Sequence, residues 1–166
     1  MKKLFNIAFL LACYKMALAC TCIGEATIKE EIARSSAVFM GTVVSGSLKT
    51  IADESSVENF SLDLEYMEYT LVLAHKYKGS SLNDTVQVVT GLGGGDCGYK
   101  CMLGKTYFVY CSYVDRHGKD GEKVKKLLTT NICRRNRLAP DDKEQKALEK
   151  YSSLIWRFWY WLNGMF

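Results

Sequence analysis

The amino-acid sequence predicts a mainly β protein: a five-stranded Greek-key barrel with peripheral α-helices, held together by disulfide bonds. Three observations support this prediction. Five segments are rich in β-branched and aromatic residues, and one of them is long and alternates between apolar and polar positions. Six cysteines remain once an export signal is removed. Helical patterns are short and lie near the two ends of the remaining chain.

The first 19 residues have the parts of a cleavable secretory signal: two lysines, an apolar stretch over 4–12, and Ala17 and Ala19 at A-x-A spacing. The apolar stretch is shorter than the roughly 20 residues that cross a bilayer. We expect cleavage before Cys20 and a secreted, extracellular or cell-envelope protein. A lipoprotein signal, which would place an acyl chain on Cys20, is the alternative, although Ala17 stands where such signals usually carry leucine.

The basic charge of the chain belongs to this signal. The whole sequence has 22 basic and 18 acidic residues, and removing Lys2, Lys3 and Lys15 leaves 19 basic residues. The mature chain is therefore close to neutral, which gives no electrostatic argument for nucleic-acid binding.

The cysteines indicate an oxidising compartment and a disulfide framework whose pairing is open. Cys13 leaves with the signal, so that an even number remains. Their spacing does not form the paired knuckles that are typical of structural zinc sites. The six are Cys20, Cys22, Cys97, Cys101, Cys111 and Cys133.

Alternating patterns and turn signals predict the strands. Gly41 marks a bend in the first, and residues 46–59 are polar and predict a long exposed loop. In the second, the apolar face changes phase near Met67 and Glu68, which predicts a β-bulge. The fourth is apolar on both faces and should be central. A long, bent strand suits a small barrel of the OB type, although a sandwich fits nearly as well. The predicted strands span 37–45, 60–73, 85–90, 106–114 and 124–130.

Two helices are predicted, one on each side of the strands. Thr27 and Glu30 form a capping box before a helix over 28–35, and Pro140 suits the first position of a terminal helix. The chain divides into the signal (1–19), a barrel domain (20–137) and a C-terminal helix with an aromatic tail (138–166). The acids at the helix starts are interpreted as solvated positions and not as a catalytic pair: Glu30, Glu31, Asp141 and Asp142.

Five short stretches carry a resemblance to a known family. They are CTCIG from Cys20, VFMGTVVS in the first strand, HKYKG ending at Gly79, DCGY around Cys97 and LLTTNIC ending at Cys133. Together they resemble the tissue inhibitors of metalloproteinases and, more broadly, the netrin-like module of those inhibitors. The similarity covers residues 20–134. It implies an OB-type barrel without enzymatic activity or a cofactor of its own, and a zinc metalloendopeptidase as the partner.

The resemblance also implies the disulfide pairing. It joins Cys20 to Cys97 and Cys22 to Cys133, and leaves Cys101 and Cys111 for a third bridge. This third bridge departs from the family, whose own begins in the region of Ile32.

Two further departures bear on the choice of protease. The second, smaller cysteine-rich domain of the family is missing. Gly24 stands where the family usually has a proline after its Cys-Thr-Cys-aliphatic start.

The mechanism implied by the resemblance is chelation. A catalytic zinc keeps one position open beside three protein ligands. The α-amino group and carbonyl oxygen of Cys20 would take that position in the partner enzyme, and Thr21 would enter its specificity pocket. An α-amino group titrates near roughly 7.7–8.0, so its neutral form is readily reached at neutral pH. The contacting ridge would comprise Thr21, Cys22, Ile23, Gly24, Gly94, Gly95, Asp96 and Cys97.

The C-terminal segment LIWRFWYWLNGMF begins at Leu154 and ends at Phe166. It is interpreted either as a helix packed across the barrel or as an anchor at a membrane surface. Two functions of other classes remain beside inhibition: a non-inhibitory envelope module that binds proteins or membranes, and a thiol oxidoreductase that uses Cys20 and Cys22. The oxidoreductase fits less well, because redox pairs usually show C-x-x-C.

Overall fold

The computed structural model describes Cys20, Cys22 and residues 24–53, 62–93, 95–117 and 123–153. The prediction of a mainly β protein is confirmed. Within the described residues the elements are α1 (Ile28–Arg34), β1 (Ala37–Asp53), β2 (Leu62–Lys78), β3 (Thr85–Thr90), β4 (Thr106–His117), β5 (Lys123–Thr129), β6 (Arg137–Leu138) and α2 (Asp142–Ser152).

Five of the strands form a closed ring. The order is β1-β2-β3-β5-β4, and β4 returns to β1 through antiparallel pairs from Ala37↔Cys111 to Thr42↔Thr106. Neighbours in the ring are antiparallel except β3 and β5, which meet in parallel at Val89↔Thr129. The short β6 pairs with β4 beside the ring. The sequence does not predict β6, because two residues carry no periodic signal.

The first two strands continue beyond the ring as a two-stranded ribbon. Pairing between β1 and β2 runs to Asp53↔Leu62, whereas the pairing of β2 with β3 ends at Met67↔Thr90. Residues 46–53 therefore belong to β1, and the prediction of a loop over 46–59 is wrong for this part. Residues 54–61 lie outside the described residues. Residues 44–50 of β1 are all exposed, so this stretch has no buried face and its polar sequence resembles that of a loop.

Register shifts bend this pair of strands at places other than the one predicted. Pairing slips between Val43 and Ser45 of β1, whereas Met67 and Glu68 pair with both β1 and β3 without a register shift. The predicted bulge is therefore wrong. The bend at Gly41 does coincide with a register shift, and a Cβ there would lie 3.1 Å from a side-chain carbon of Leu73.

Two apolar clusters lie on opposite faces of β4. Residues 107–111 are all buried, which confirms the prediction of a central strand that is apolar on both faces. One cluster is built around residues such as Phe39, Leu71 and Val109. The other contains Phe108 and Tyr110 and is covered by Leu148 of α2. Because each face is buried by a different layer, β4 is packed between the other strands and the helices.

The helix starts are fixed by side-chain caps. Thr27 and Glu30 form the predicted capping box of α1, with both reciprocal hydrogen bonds present. In α2 the cap is Asp141, whose carboxylate accepts the N–H groups of Lys143 and Glu144, each at 3.1 Å. Pro140 therefore precedes the cap, and its predicted place as the first helical residue is wrong. None of the helices in the described part of the chain is long and apolar enough to cross a membrane.

Replacing Phe39 by alanine should lower the free energy of unfolding by about 3–5 kcal/mol, because the ring is fully buried and its loss leaves a cavity. Leu48→Ala on the ribbon is the control, since Leu48 is 54% exposed, and should change it by less than about 0.5 kcal/mol. Urea unfolding with the disulfides intact measures both. Equal losses would contradict the placement of the core.

Candidate functional site

Two disulfide bonds hold the start of the predicted mature chain. Cys20 is bonded to Cys97, between β3 and β4, and Cys22 to Cys133, after β5; the Cα atoms are 5.5 and 5.2 Å apart. These separations are typical of disulfides. Both bridges are those that the resemblance implied. Cys20 and Cys22 are not bonded to each other, whereas the oxidoreductase hypothesis needs them as a pair.

The structure brings four of the predicted ridge residues beside Cys20 and Cys22. Gly95, Asp96 and Cys97 form the loop to which Cys20 is bonded, and the Cys20 sulfur lies 3.8 Å from the Gly95 carbonyl oxygen. Gly24 follows Cys22 and its N–H donates to the Cys22 carbonyl at 3.1 Å. The remaining three predicted ridge residues lie outside the described residues: Thr21, Ile23 and Gly94.

Asp96 organises the loop that receives Cys20. Its carboxylate accepts the backbone N–H groups of Leu92 at 2.5 Å, Gly93 at 2.6 Å and Gly98 at 3.1 Å. The hydrogen bond from Leu92 is the main reason that the pKa of Asp96 lies below its ordinary value, although partial desolvation opposes it. The carboxylate is thus directed at its own loop, and Asp96 shapes the ridge instead of offering its charge to a partner.

The two segments that carry the bridges also contact each other. The N–H of Ile132 donates to the carbonyl of Cys97 at 2.9 Å, one residue before Cys133. Cys97 has a φ of +59°, an uncommon backbone conformation for a residue other than glycine. Beside it, a Cβ on Gly98 would collide with the backbone of Gly91. The loop is therefore tightly constrained where it meets the N-terminal segment.

The predicted third bridge is wrong: Cys101 and Cys111 are free thiols. Cys111 is fully buried in the core cluster around Phe39, and Cys101 packs against the same cluster. Burial raises the pKa of Cys101 to about 12 and also raises that of Cys111. Thiols of this kind act as small apolar side chains, because the reactive thiolate is scarcely populated. The prediction from the even number of cysteines therefore contains one disulfide bond more than the structure.

Glu31 is buried, which corrects its interpretation as a solvated position. Its side chain is 0% exposed and pairs with Arg34 of the same helix and, at 3.1 Å, with Arg134. Arg34 also donates to the carbonyl of Cys133 at 3.3 Å, and Arg134 donates to the hydroxyl of Ser112. This group, the Glu31 cluster, fixes α1 against the segment that carries Cys133.

A second buried carboxylate, Glu144 of α2, lies on the other side of the same segment. Tyr110 donates its hydroxyl to Glu144, and the Nε of Arg135 lies 3.0 Å from both carboxylate oxygens. Arg135 also donates to Glu25 at 2.9 Å, and Arg137 pairs with Glu25 as well. This Glu144 cluster extends from the helix to the N-terminal segment three residues after Cys22.

The two clusters surround the Cys22–Cys133 bridge. Between them lies a cavity of about 350 Å³ that Glu25, Glu31 and the arginines line. The positive charges of the arginines balance the negative charges of the carboxylates. The cavity wall is therefore a scaffold built from ion pairs. Among the described residues, at this cavity and elsewhere, no three or more His, Cys, Asp or Glu side chains are grouped so that they could hold a metal ion.

The sequence interpretation missed the three arginines that build this scaffold, Arg134, Arg135 and Arg137. The available signal was their position, in the stretch RRNR directly after a half-cystine. No known family model matches the chain. A search of curated proteins likewise found no match.

The Asp96 loop should lose its order only in strong acid. The pKa of Asp96 is lower in the folded state than in the unfolded state. The ionised carboxylate therefore stabilises the fold fully above the unfolded-state pKa of about 3.9. This stabilisation is lost as the pH falls through the lower folded-state pKa. The amide resonances of Leu92, Gly93 and Gly98 should shift together with one midpoint below about 3.9. In Asp96→Asn this common titration should vanish. A midpoint at or above the ordinary value would contradict the hydrogen-bonded loop.

Glu31→Gln should destabilise the protein by about 3 kcal/mol, because it leaves Arg134, only 19% exposed, without its carboxylate. Glu30→Gln is the matched control on the same helix: Glu30 is exposed, and glutamine can also complete a capping box. Its unfolding midpoint should stay close to that of the parent protein. Urea unfolding measures both variants, and similar losses would show that the Glu31 cluster has no special role.

Proposed function

We propose that this chain is a secreted inhibitor of zinc metalloendopeptidases, of the type represented by the tissue inhibitors of metalloproteinases. Cys20 is its first residue after export, and its α-amino group and carbonyl oxygen chelate the zinc of the partner enzyme. The barrel is of the OB type, and the protein has no catalytic activity or cofactor of its own.

The fold supports this proposal in a general way. A closed ring of five strands, with β1 and β2 long and bent by register shifts, has the form expected of a small Greek-key barrel. Disulfides are typical of proteins that mature in oxidising compartments, in line with secretion.

The observation that carries the proposal is the Cys20–Cys97 bridge. It fixes the predicted first residue beside the constrained loop around Asp96, so that two separate stretches of chain form one ridge. The thiol of Cys20 is used in the bridge, which leaves its amine and carbonyl as the atoms it can offer. A ridge that is ordered before binding loses less entropy on entering an active-site cleft.

The chemistry follows from the requirements of zinc. A catalytic zinc holds three protein ligands and a water molecule, and an incoming amine with a carbonyl oxygen can replace that water. The amine binds only in its neutral form, so binding releases a proton where the free amine is protonated. Displacing the water removes the nucleophile of the enzyme, because the zinc-bound water is what attacks the substrate.

Gly24 gives the proposal a distinguishing feature. It has a φ of +64°, whereas proline is restricted to about −65°, so the residue usual in the family does not fit the chain path found here. The chain therefore turns at Gly24 in a conformation that a proline could not adopt. We attribute to this difference a choice of protease that departs from that of the family.

Adding one alanine before Cys20 should abolish inhibition. The added residue moves the α-amino group away from the zinc, and we expect the inhibition constant to rise at least about 100-fold, or about 3 kcal/mol of binding free energy. The assay measures residual activity of a panel of zinc endopeptidases. A protein with one alanine added after Phe166 has the same composition and is the matched control, which should inhibit like the parent.

Intact-mass analysis of the exported protein defines the starting material for this assay. The proposal requires a free amine on Cys20, bridges at Cys20–Cys97 and Cys22–Cys133, and no acyl chain. Equal inhibition by both extended proteins would rule out chelation, as would the absence of inhibition across the panel. An acyl chain on Cys20 would instead favour a membrane-anchored module.

A further inference from the structure

The ring of strands is nearly open between β3 and β5. The other neighbours in the ring are joined along ladders of several residue pairs, whereas β3 and β5 share the single pair Val89↔Thr129. Before this pair, no described residue of either strand continues the ladder. This gap, which we call the β3–β5 seam, separates residues 85–88 of β3 from residues 123–128 of β5.

The edge of β3 directs backbone groups into the seam. Hydrogen-bonding groups point alternately to the two sides of a strand. Just before β3, the carbonyl of Asp84 accepts a hydrogen bond from β2 at 2.8 Å, whereas the carbonyl of Val89 accepts the N–H of Thr130 at 3.0 Å. Counting back from Val89 in steps of two residues, the N–H and C=O groups of Gln87 and Thr85 face the seam.

The edge of β5 has the matching arrangement. Because the N–H of Thr130 is directed at β3, the alternation directs the backbone groups of Leu128 and Lys126 to the same side. The odd-numbered residues face β4 instead, where Thr129 pairs with Ser112. Two rows of backbone donors and acceptors therefore lie on opposite sides of the seam.

A cavity of about 480 Å³ occupies the seam, a volume within the range of roughly 300–1,000 Å³ that is typical of binding sites. Residues of both edges line it, among them Thr85, Gln87 and Lys126. Gln87 is exposed, whereas Val86 and Leu128, which also line the cavity, belong to the core cluster around Phe39. The cavity thus extends from the outer surface towards the apolar interior.

Another extended chain is the ligand that suits two such rows. Strand edges with unpaired N–H and C=O groups bind a peptide as an additional strand, and neighbouring pockets receive its side chains. Since β3 and β5 are parallel to each other, one inserted strand can be antiparallel to both. Antiparallel pairing is the slightly more stable kind.

The charges at the seam favour an acidic side chain near its open end. Lys126 is exposed, and its ammonium lies 4.7 Å from the centre of the Tyr113 ring. The ring covers one side of the ammonium, and the described hydrogen bonds and ion pairs do not include it. Glu68 also lines the cavity, but it pairs with Val89 at the closed end. A carboxylate beside Lys126 therefore lies away from Glu68.

We propose that the β3–β5 seam binds an extended, acidic segment of a partner protein by strand addition. The segment pairs its backbone with Thr85 and Gln87 and places a carboxylate beside Lys126. The described lining of the seam does not include Cys20 or Cys97, so this interaction is separate from chelation. The aromatic segment 154–166 lies outside the described residues, and its predicted roles stay predictions.

Nuclear magnetic resonance tests the proposal with the peptide acetyl-Thr-Val-Glu-Val-Thr-amide, titrated into the isotope-labelled protein with its disulfides intact. We expect saturable shifts of the amide resonances of Thr85, Gln87 and Lys126, with a dissociation constant below about 1 mM. Amide exchange with solvent at Thr85 and Gln87 should slow at least about tenfold when the peptide is bound, because these N–H groups become hydrogen-bonded.

Two matched controls separate backbone pairing from charge. The same peptide with two N-methylated amides keeps every side chain but lacks two donors, and should bind at least about tenfold more weakly. Lys126→Glu should weaken binding of the parent peptide about fivefold, and replacing the peptide glutamate by lysine should restore it. Lys146→Glu makes the same charge change at an exposed position of α2 outside the seam and should leave binding unchanged.

Several results would overturn the proposal: no saturable shifts, shifts centred away from the seam, equal binding of the N-methylated peptide, or binding that Lys126→Glu leaves unchanged. Protection of Thr85 and Gln87 that appears without peptide and rises with protein concentration would also overturn it, because it would assign the seam to a second copy of the chain. None of these readouts uses a protease, so this proposal and the chelation proposal succeed or fail separately.

Discussion

Two carboxylates, those of Glu31 and Glu144, are buried almost completely, and an unpaired carboxylate in that environment would cost several kcal/mol. Their need for counter-charges determines where the segment after β5 runs, because Arg134 must reach Glu31 and Arg135 must reach Glu144. Cys133, which directly precedes these arginines, is thereby placed where Cys22 can bond to it. The arrangement of the N-terminal segment thus depends on the ion pairs of Arg134 and Arg135, to which its own Glu25 contributes through Arg135.

Such clusters define geometry more than they add stability. Replacing a buried ion pair by apolar residues is often neutral or stabilising, whereas removing one partner is costly. Their main effect here is on orientation, because each planar guanidinium donates paired hydrogen bonds to a carboxylate only in particular geometries. The Glu144 cluster continues through Arg135 to Glu25, so α2, the barrel and the start of the chain share one set of charge-assisted hydrogen bonds. The ridge for which we propose chelation is attached to this fixed support.

Local rules predicted the parts of the fold that depend on local interactions. The capping box at Thr27 and the doubly buried β4 can be inferred from sequence, because a cap spans three residues and a central strand is uniformly apolar. The extension of β1 into the ribbon could not, since its exposed residues 44–50 form no buried apolar face. The burial of Glu31 was equally hidden: its partner Arg134 lies 103 residues away, and only the tertiary fold brings them together. For the site, the resemblance located the half-cystines, and the stretch RRNR after Cys133 marked the arginines, but their pairing with Glu31 and Glu144 depends on the tertiary fold.

The free thiols of Cys101 and Cys111 have a consequence for how the covalent structure is kept. Disulfides rearrange when a thiolate attacks an existing bond, so any free cysteine in an oxidising compartment threatens the bridges around it. A thiol with a pKa of about 12 is ionised in only about one molecule in 100,000 at pH 7. Packing within the barrel therefore slows disulfide exchange once folding is complete. The core that excludes water also preserves the native pairing, and with it the position of Cys20.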